Sequence, residues 1–240
     1  MNNLSILNKN IIYDLGAHDG IDTLYYLKKN YKVIAIEPDK NLCLKIKKNI
    51  KYHKKNLIII NKAVSNSKKK INFYINRHDR KLNTNFVKNI NYDNFKKIKV
   101  PPVNLIDLFK IYGVPFYIKI DIEKSELIAL KQILKSKKKI PFISIEDCHL
   151  SFEYLKLLKK IGYKKFKLIN QYNNQFLKDK SVNHKFHLHS SGKFGEEIDK
   201  KQKWSNYNNF LKKYTRIVRS EKNLKRISPV HIWYDIHAKM

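Results

Sequence analysis

The sequence predicts a doubly wound α/β sheet, and three observations carry that prediction. Short aliphatic runs such as Lys32–Pro38 (KVIAIEP) and Phe116–Glu123 (FYIKIDIE) recur along the chain with the length and composition of buried strands. Amphipathic stretches separate them, with apolar residues at helical spacing, as at Leu42, Cys43, Ile46 and Ile50. Strand and helix alternate, which calls for parallel strands with helices on both faces.

The elements follow in order. Ile11–Gly16 is expected as a buried strand ending in a turn, Ile21–Asn30 as the helix after it, and Lys32–Pro38 as the second strand. Asp39 is a suitable N-cap for a helix running to Ile50, because its side chain can accept from the free N–H groups of the first turn. Asn56–Val64 is a third strand, and Ile71–Asn76 one strand of a surface hairpin. Residues 77–103 are polar and irregular, and Pro101-Pro102 excludes helix there. Asn104–Gly113 is a short helix closed by glycine. Phe116–Glu123 is the fourth strand, Ser125–Ser136 a helix, Pro141–Asp147 the fifth strand, and a helix from Phe152 stops at Gly162. Lys164–Asn170 is the sixth strand and Val230–Ala238 the last. Residues 171–228 are polar and aromatic with weak periodicity, and are expected as an elaboration before that last strand within one domain spanning 1–240.

Composition narrows the function classes without choosing one. Fifty-one Lys+Arg against 20 Asp+Glu leave a net charge of +31, which first suggests a nucleic acid or an anionic surface. Only five of the basic residues are arginines, however: Arg77, Arg80, Arg216, Arg219 and Arg226. Recognition of phosphates and base edges favours the Arg fork, so the excess of Lys is read as mostly compositional, with weak and unspecific nucleic-acid binding. Two cysteines, Cys43 and Cys148, build neither a disulfide scaffold nor a four-ligand zinc site. No apolar run approaches the ~18 residues of a membrane span and the first ten residues lack a signal-peptide pattern, so a cytoplasmic setting is expected.

The strongest local signal is Asp14-Leu15-Gly16-Ala17-His18-Asp19-Gly20, between the first strand and the first helix. Glycines at such a turn allow close backbone approach, and free N–H groups of the following helix attract negative charge. Glu37 closes the second strand, where an acid in a Rossmann-type sheet hydrogen-bonds a ribose diol. The spacing is not G-x-G-x-x-G, which disfavours a dinucleotide; D-x-G-x-x-x-G with a strand-end Glu suits S-adenosylmethionine. Asp121, Glu123 and Glu126 form a second group, and three carboxylates within six residues need something cationic nearby: a sulfonium, Lys119, Lys124 or a divalent ion. Glu146 and Asp147 end the fifth strand, with His149 two residues on as a candidate proton acceptor. His184, His187 and His189 have a spacing only loosely compatible with metal ligation.

These blocks resemble the FkbM family of class I S-adenosylmethionine-dependent methyltransferases. DLGAHDG with IAIEPD is similar to that family's nucleotide-binding half, and NKAVS (Asn61–Ser65) to its block beside the adenine. VNLIDLF followed by FYIKIDIEKSE resembles its K-x-D-x-E-G-x-E strand end, FISIED its fifth-strand block, and SSGKFGEE a late segment of some members. Lys124 stands where the family has Gly, and Lys193 where it has Pro.

The resemblance implies a Rossmann-like class I methyltransferase fold, with a mostly parallel seven-stranded sheet and helices on both faces. It implies that Asp14, Gly16, Ala17, His18, Gly20, Glu37, Pro38, Ala63, Val64 and Asp121 bind S-adenosylmethionine. Asp121, Glu123 and His149 are the catalytic candidates, and no metal ligand is assigned. A divalent ion is permitted but not required, since methyl transfer from a sulfonium needs none. The implied acceptor is a hydroxyl of a carbohydrate, glycolipid or small molecule. An RNA ribose 2′-O-methyltransferase and a non-catalytic binding module are the competing classes; the glycine turn and ribose acid, both intact, argue against the second.

Overall fold

The computed structural model describes residues 7–77, 84, 94–188 and 190–240. The chain divides into two compact units, residues 1–138 and 139–240.

In the first unit, β1 (Leu7–Leu15) leads to α1 (Ile21–Lys28), β2 (Lys32–Ile36), α2 (Lys40–Asn49) and β3 (Leu57–Ile60). Short β4 (Ala63–Val64), the hairpin strands β5 (Ile71–Asn76) and β6 (Phe95–Val100), and β7 (Pro102–Val103) follow. The unit closes with α3 (Leu105–Tyr112), β8 (Val114–Ile120) and α4 (Glu126–Ser136). β1 pairs in parallel with both β2 and β8, and β2 with β3. Ile12, Tyr13, Ile34 and Ile118 are fully enclosed, as strands covered on both faces require. Asp39 caps α2 as expected, accepting from the Asn41 N–H at 2.8 Å.

Two expectations are corrected here. The run Asn56–Val64 is not one strand: the Lys62 N–H turns back to the Ile60 carbonyl, and Ala63–Val64 leaves the main sheet to pair with β7. The stretch 77–103 is not wholly irregular, because Phe95–Val100 pairs antiparallel with Ile71–Asn76. The pairing is anchored by a small apolar cluster of Ala63, Phe73, Ile75 and Val100, to which β6 contributes Val100 and the partly buried Ile98, hidden in the sequence among lysines. Residues 78–83 and 85–93 of that stretch lie outside the described residues.

In the second unit, β9 (Phe142–Glu146), α5 (Ser151–Ile161) and β10 (Lys165–Asn170) precede β11 (Lys178–Asp179), β12 (His184–Lys185), α6 (Tyr207–Ile217) and β13 (Tyr234–Lys239). β13 runs antiparallel to both β9 and β10. The stretch 171–228, legible only as an elaboration, contains the amphipathic helix α6, whose Phe210 and Tyr214 are buried. The last strand begins at Tyr234, later than the expected Val230. Among the described residues the mixed sheet has seven strands and is mostly parallel, ordered β8-β1-β2-β3 within the first unit and β10-β13-β9 within the second.

Candidate functional site

The turn after β1 is built by close backbone packing. Gly16 and Gly20 both hold left-handed backbone (φ 79° and 87°). A Cβ on Gly16 would fall 1.7 Å from the Asp121 carbonyl oxygen, and one on Gly20 would press Ile46 and Ile50 of α2 at 3.2 Å. Packing requires glycine at position 16, and the positive φ favours it at position 20. The Gly16 and Ala17 N–H groups both donate to the Ile36 carbonyl, which fixes the turn over the end of β2. Gly20 starts α1 without a side-chain cap, so the helix presents its first N–H groups uncapped.

Glu37 follows β2 and is held from two sides. Its carboxylate accepts from the His18 N–H at 2.9 Å and from the Asp39 N–H at 2.8 Å. Burial pushes its carboxyl up to about 8, against the lowering effect of those two N–H donors. Asn61 locks the chain beneath it, donating to the Glu37 and Pro38 carbonyls at 3.0 and 2.8 Å. His18 has positive φ (50°), and its Nε2 is buried without a hydrogen-bond partner. The neighbouring Asp19 is raised by burial but held well below the carboxylate range by hydrogen bonds from His18 and Lys45.

Pro38, Ala63 and Val64, far apart in sequence, line one pocket together with Ile36, Phe73, Ile122 and Ser125.

Asp14 is placed differently from its neighbours in the motif. It is fully enclosed, accepts from the Thr23 hydroxyl at 2.5 Å, and lies beneath the turn. Lys119 is buried with it, 3.7 Å from Asp14, 3.5 Å from Asp22 and 3.3 Å from Asp121. Of these carboxylates only Asp121 is substantially exposed, at 33%.

Asp121 is the first residue past β8, with its N–H on the Leu15 carbonyl at 3.0 Å. The chain then makes a left-handed step, with Glu123 at φ 50° and Lys124 at φ 74°. The side chain of Glu126 holds that step by accepting from the Ile122 and Lys124 N–H groups, each at 3.2 Å. Glu126 is therefore the brace of the turn, and Lys124 occupies backbone that favours the glycine of the family pattern. Sequence reasoning did not find Thr84, whose hydroxyl donates to the Glu123 carbonyl at 2.7 Å. Nor did it mark Gln132, which accepts from the Leu105 N–H and donates to the Ser65 carbonyl.

In the second unit, Glu146 ends β9 and His149 lies in the exposed turn before α5. Asp147, between them, is enclosed: it accepts from Arg219 at 2.8 Å, from Ser151 at 2.9 Å and from the Tyr214 hydroxyl. Its carboxylate is thereby saturated. The histidines at 184–189 do not act as a visible set: His184 packs edge-on against Phe186, His187 is exposed, and His189 lies outside the described residues.

The sequence matches the family model of the methyltransferase FkbM domain over residues 14–172. Similar solved structures include a precorrin-6y C5,15-methyltransferase from Geobacter metallireducens GS-15, with 11% identity and a TM-score of 0.45 over 98% of this chain and 82% of that one. A precorrin 8w decarboxylase from Methanobacterium thermoautotrophicum has 10% identity and a TM-score of 0.45, covering 98% and 83% of the two chains. An rRNA methylase from Streptococcus thermophilus has 11% identity and a TM-score of 0.41, covering 98% and 90%. No curated protein matches the sequence.

Proposed function

The chain belongs to the FkbM methyltransferase family and is an S-adenosylmethionine-dependent methyltransferase; on that premise we propose O-methylation of a hydroxyl on a carbohydrate, glycolipid or small-molecule acceptor. The single observation that carries the cofactor reading is Glu37: a strand-end carboxylate held over the glycine turn by the His18 and Asp39 N–H groups. The residues fit the cofactor in kind. Glu37 would accept from the ribose hydroxyls, the Pro38, Ala63 and Val64 pocket would take the adenine, and Gly16, Ala17, His18 and Gly20 would shape the backbone at its polar end. Asp14 contributes from below, by fixing Thr23 and Lys119.

S-adenosylmethionine supplies an electrophilic methyl group on a sulfonium. The protein's part is to hold the acceptor oxygen in line with it, and such positioning is worth roughly 7–11 kcal/mol. Asp121, exposed and anchored by Lys119, would orient the acceptor hydroxyl or remove its proton, with His149 as the alternative proton acceptor. Glu123 would shape the acceptor side, its backbone held by Thr84. The single-domain organisation expected for residues 1–240 belongs to the same proposal. The acceptor class rests on the family resemblance.

One observation favours a second reading, methylation of an RNA ribose: the net charge of +31. Against it, Lys119 is buried and shared among three aspartates, which removes it from any exposed catalytic lysine set. Calorimetric titration with S-adenosylmethionine tests the cofactor reading, and labelled methyl transfer to sugars, glycolipids and RNA in parallel tests the acceptor. Nanomolar, structure-selective RNA binding at physiological salt would promote the ribose reading.

A further inference from the structure

Four side chains from three elements meet beneath the turn after β8. Asp14 comes from β1, Asp22 from α1, Lys119 from β8, and Asp121 follows β8 directly. The Lys119 ammonium lies within 3.3–3.7 Å of all three carboxylates. Counted formally, three negative charges face one positive charge. Asp14 Oδ1 is fully enclosed and makes no hydrogen bond. The Tyr26 hydroxyl is pushed well above its ordinary range by burial first, then by Tyr117, Asp22 and Asp14.

Buried like charges repel, and the four side chains together carry a formal excess of negative charge. Only Asp121 connects this set to the surface, so a cation arriving at Asp121 relieves the excess. Resting on the S-adenosylmethionine reading, we propose that these four residues discriminate the two charge states of the cofactor, favouring the cationic sulfonium over the neutral thioether product, with Lys119 limiting the strength of that preference. When the methyl group leaves, the electron pair of the broken carbon–sulfur bond stays on sulfur, and the cofactor loses one positive charge. The set therefore weakens its hold on the spent cofactor. Lys119 and Asp22 act through Asp121 and the field they share with it; they are tuning residues that need not touch the cofactor.

The test compares the affinities of S-adenosylmethionine and S-adenosylhomocysteine by calorimetry for the wild type, Asp22→Asn and Lys119→Met. A salt concentration of ~0.5 M screens the surface lysines while leaving the buried set largely unscreened. Asp22→Asn removes one negative charge at nearly constant shape, and the preference for the sulfonium form is expected to fall at least threefold. Lys119→Met is expected to raise it by a similar factor. Should Lys119→Met not fold, which unfolding without ligand reports, Asp22→Asn decides alone. A preference in folded Asp22→Asn that falls less than threefold overturns the proposal. Wild-type protein that binds neither ligand instead breaks the cofactor reading on which it rests.

Discussion

Two aspartates occupy the same kind of position in the two units and have opposite surroundings. Asp121 is the first residue past β8 and Asp147 the first past β9, and each donates its N–H to a neighbouring strand's backbone, Leu15 and Tyr234 respectively. Asp147 is saturated by Arg219, Ser151 and Tyr214, with its side chain 3% exposed. Asp121 shares a single lysine with two other carboxylates and keeps a third of its side chain exposed. A strand-end acid is thus enclosed where a guanidinium and two hydroxyls converge on it, and stays partly exposed where the lysine beside it is divided among three carboxylates.

The largest effects bear directly on this contrast. Asp147→Asn leaves the Arg219 guanidinium buried without its counter-charge, and denaturant titration should register a loss of about 3–5 kcal/mol. Asp121→Asn should leave unfolding nearly unchanged while lowering methyl transfer at saturating S-adenosylmethionine about a hundredfold, roughly 2.7 kcal/mol of barrier. If Asp147→Asn proves as stable as the wild type, or Asp121→Asn is the less stable of the two, the contrast collapses. Turnover of the wild type is expected to survive a chelator; loss with EDTA and recovery with Mg²⁺ would turn Asp121 from a proton-handling group into a ligand.

Glu37 extends the comparison to a third strand-end acid, held by backbone donors and not by a cation. Losing charged hydrogen bonds costs about 1.5–3 kcal/mol each, so above about pH 8, where the Glu37 carboxyl is ionised, Glu37→Ala should weaken S-adenosylmethionine binding tenfold or more. Its folded carboxyl sits at about 8, above the ordinary 4.5, so the folded state holds that proton more tightly than the unfolded chain. The stability this contributes is present at acidic pH and is lost as pH rises through about 8. Ribose hydroxyls donate to the ionised form, so cofactor affinity should rise over the same interval. Glu37→Gln should flatten both profiles, measured by thermal unfolding and calorimetry from pH 6 to 9.

The smallest expected effect is at the step beside Asp121. Lys124 holds φ 74°, where glycine carries no Cβ penalty, so Lys124→Gly should stabilise the protein by about 0.5–1 kcal/mol and leave turnover within a factor of two. A loss of stability there would mean that the lysine side chain, not the backbone, secures the turn.

The legible part of the site was its local part. The glycine turn, Glu37 and the Asp39 cap lie within a strand–turn–helix–strand unit, where spacing alone places residues at strand ends. The glycine at position 16 was legible as a need, but its reason was not: its Cβ is excluded by Asp121, more than a hundred residues on. Thr84 lay in a stretch that looked irregular, and its partner is 39 residues away. Asp147 looked like half of an acid pair because Arg219, 72 positions later, carries no sequence mark linking it to β9. Helix α6 was missed because its buried face is only Phe210 and Tyr214, set among polar residues.

What the sequence determined by itself is the alternation of strand and helix, and the glycine turn between β1 and α1. Both are written in short-range periodicity and in backbone needs that few residues meet. What only the tertiary structure decided is which strand-end acids are enclosed and which stay partly exposed. A carboxylate's role depends on its burial and on the cations within about 4 Å, and those cations come from elements that the chain brings together only on folding. Asp14, Asp121 and Asp147 are the same residue type in the sequence; Thr23, Lys119 and Arg219 make them a buried strut, a partly exposed carboxylate and a saturated tie.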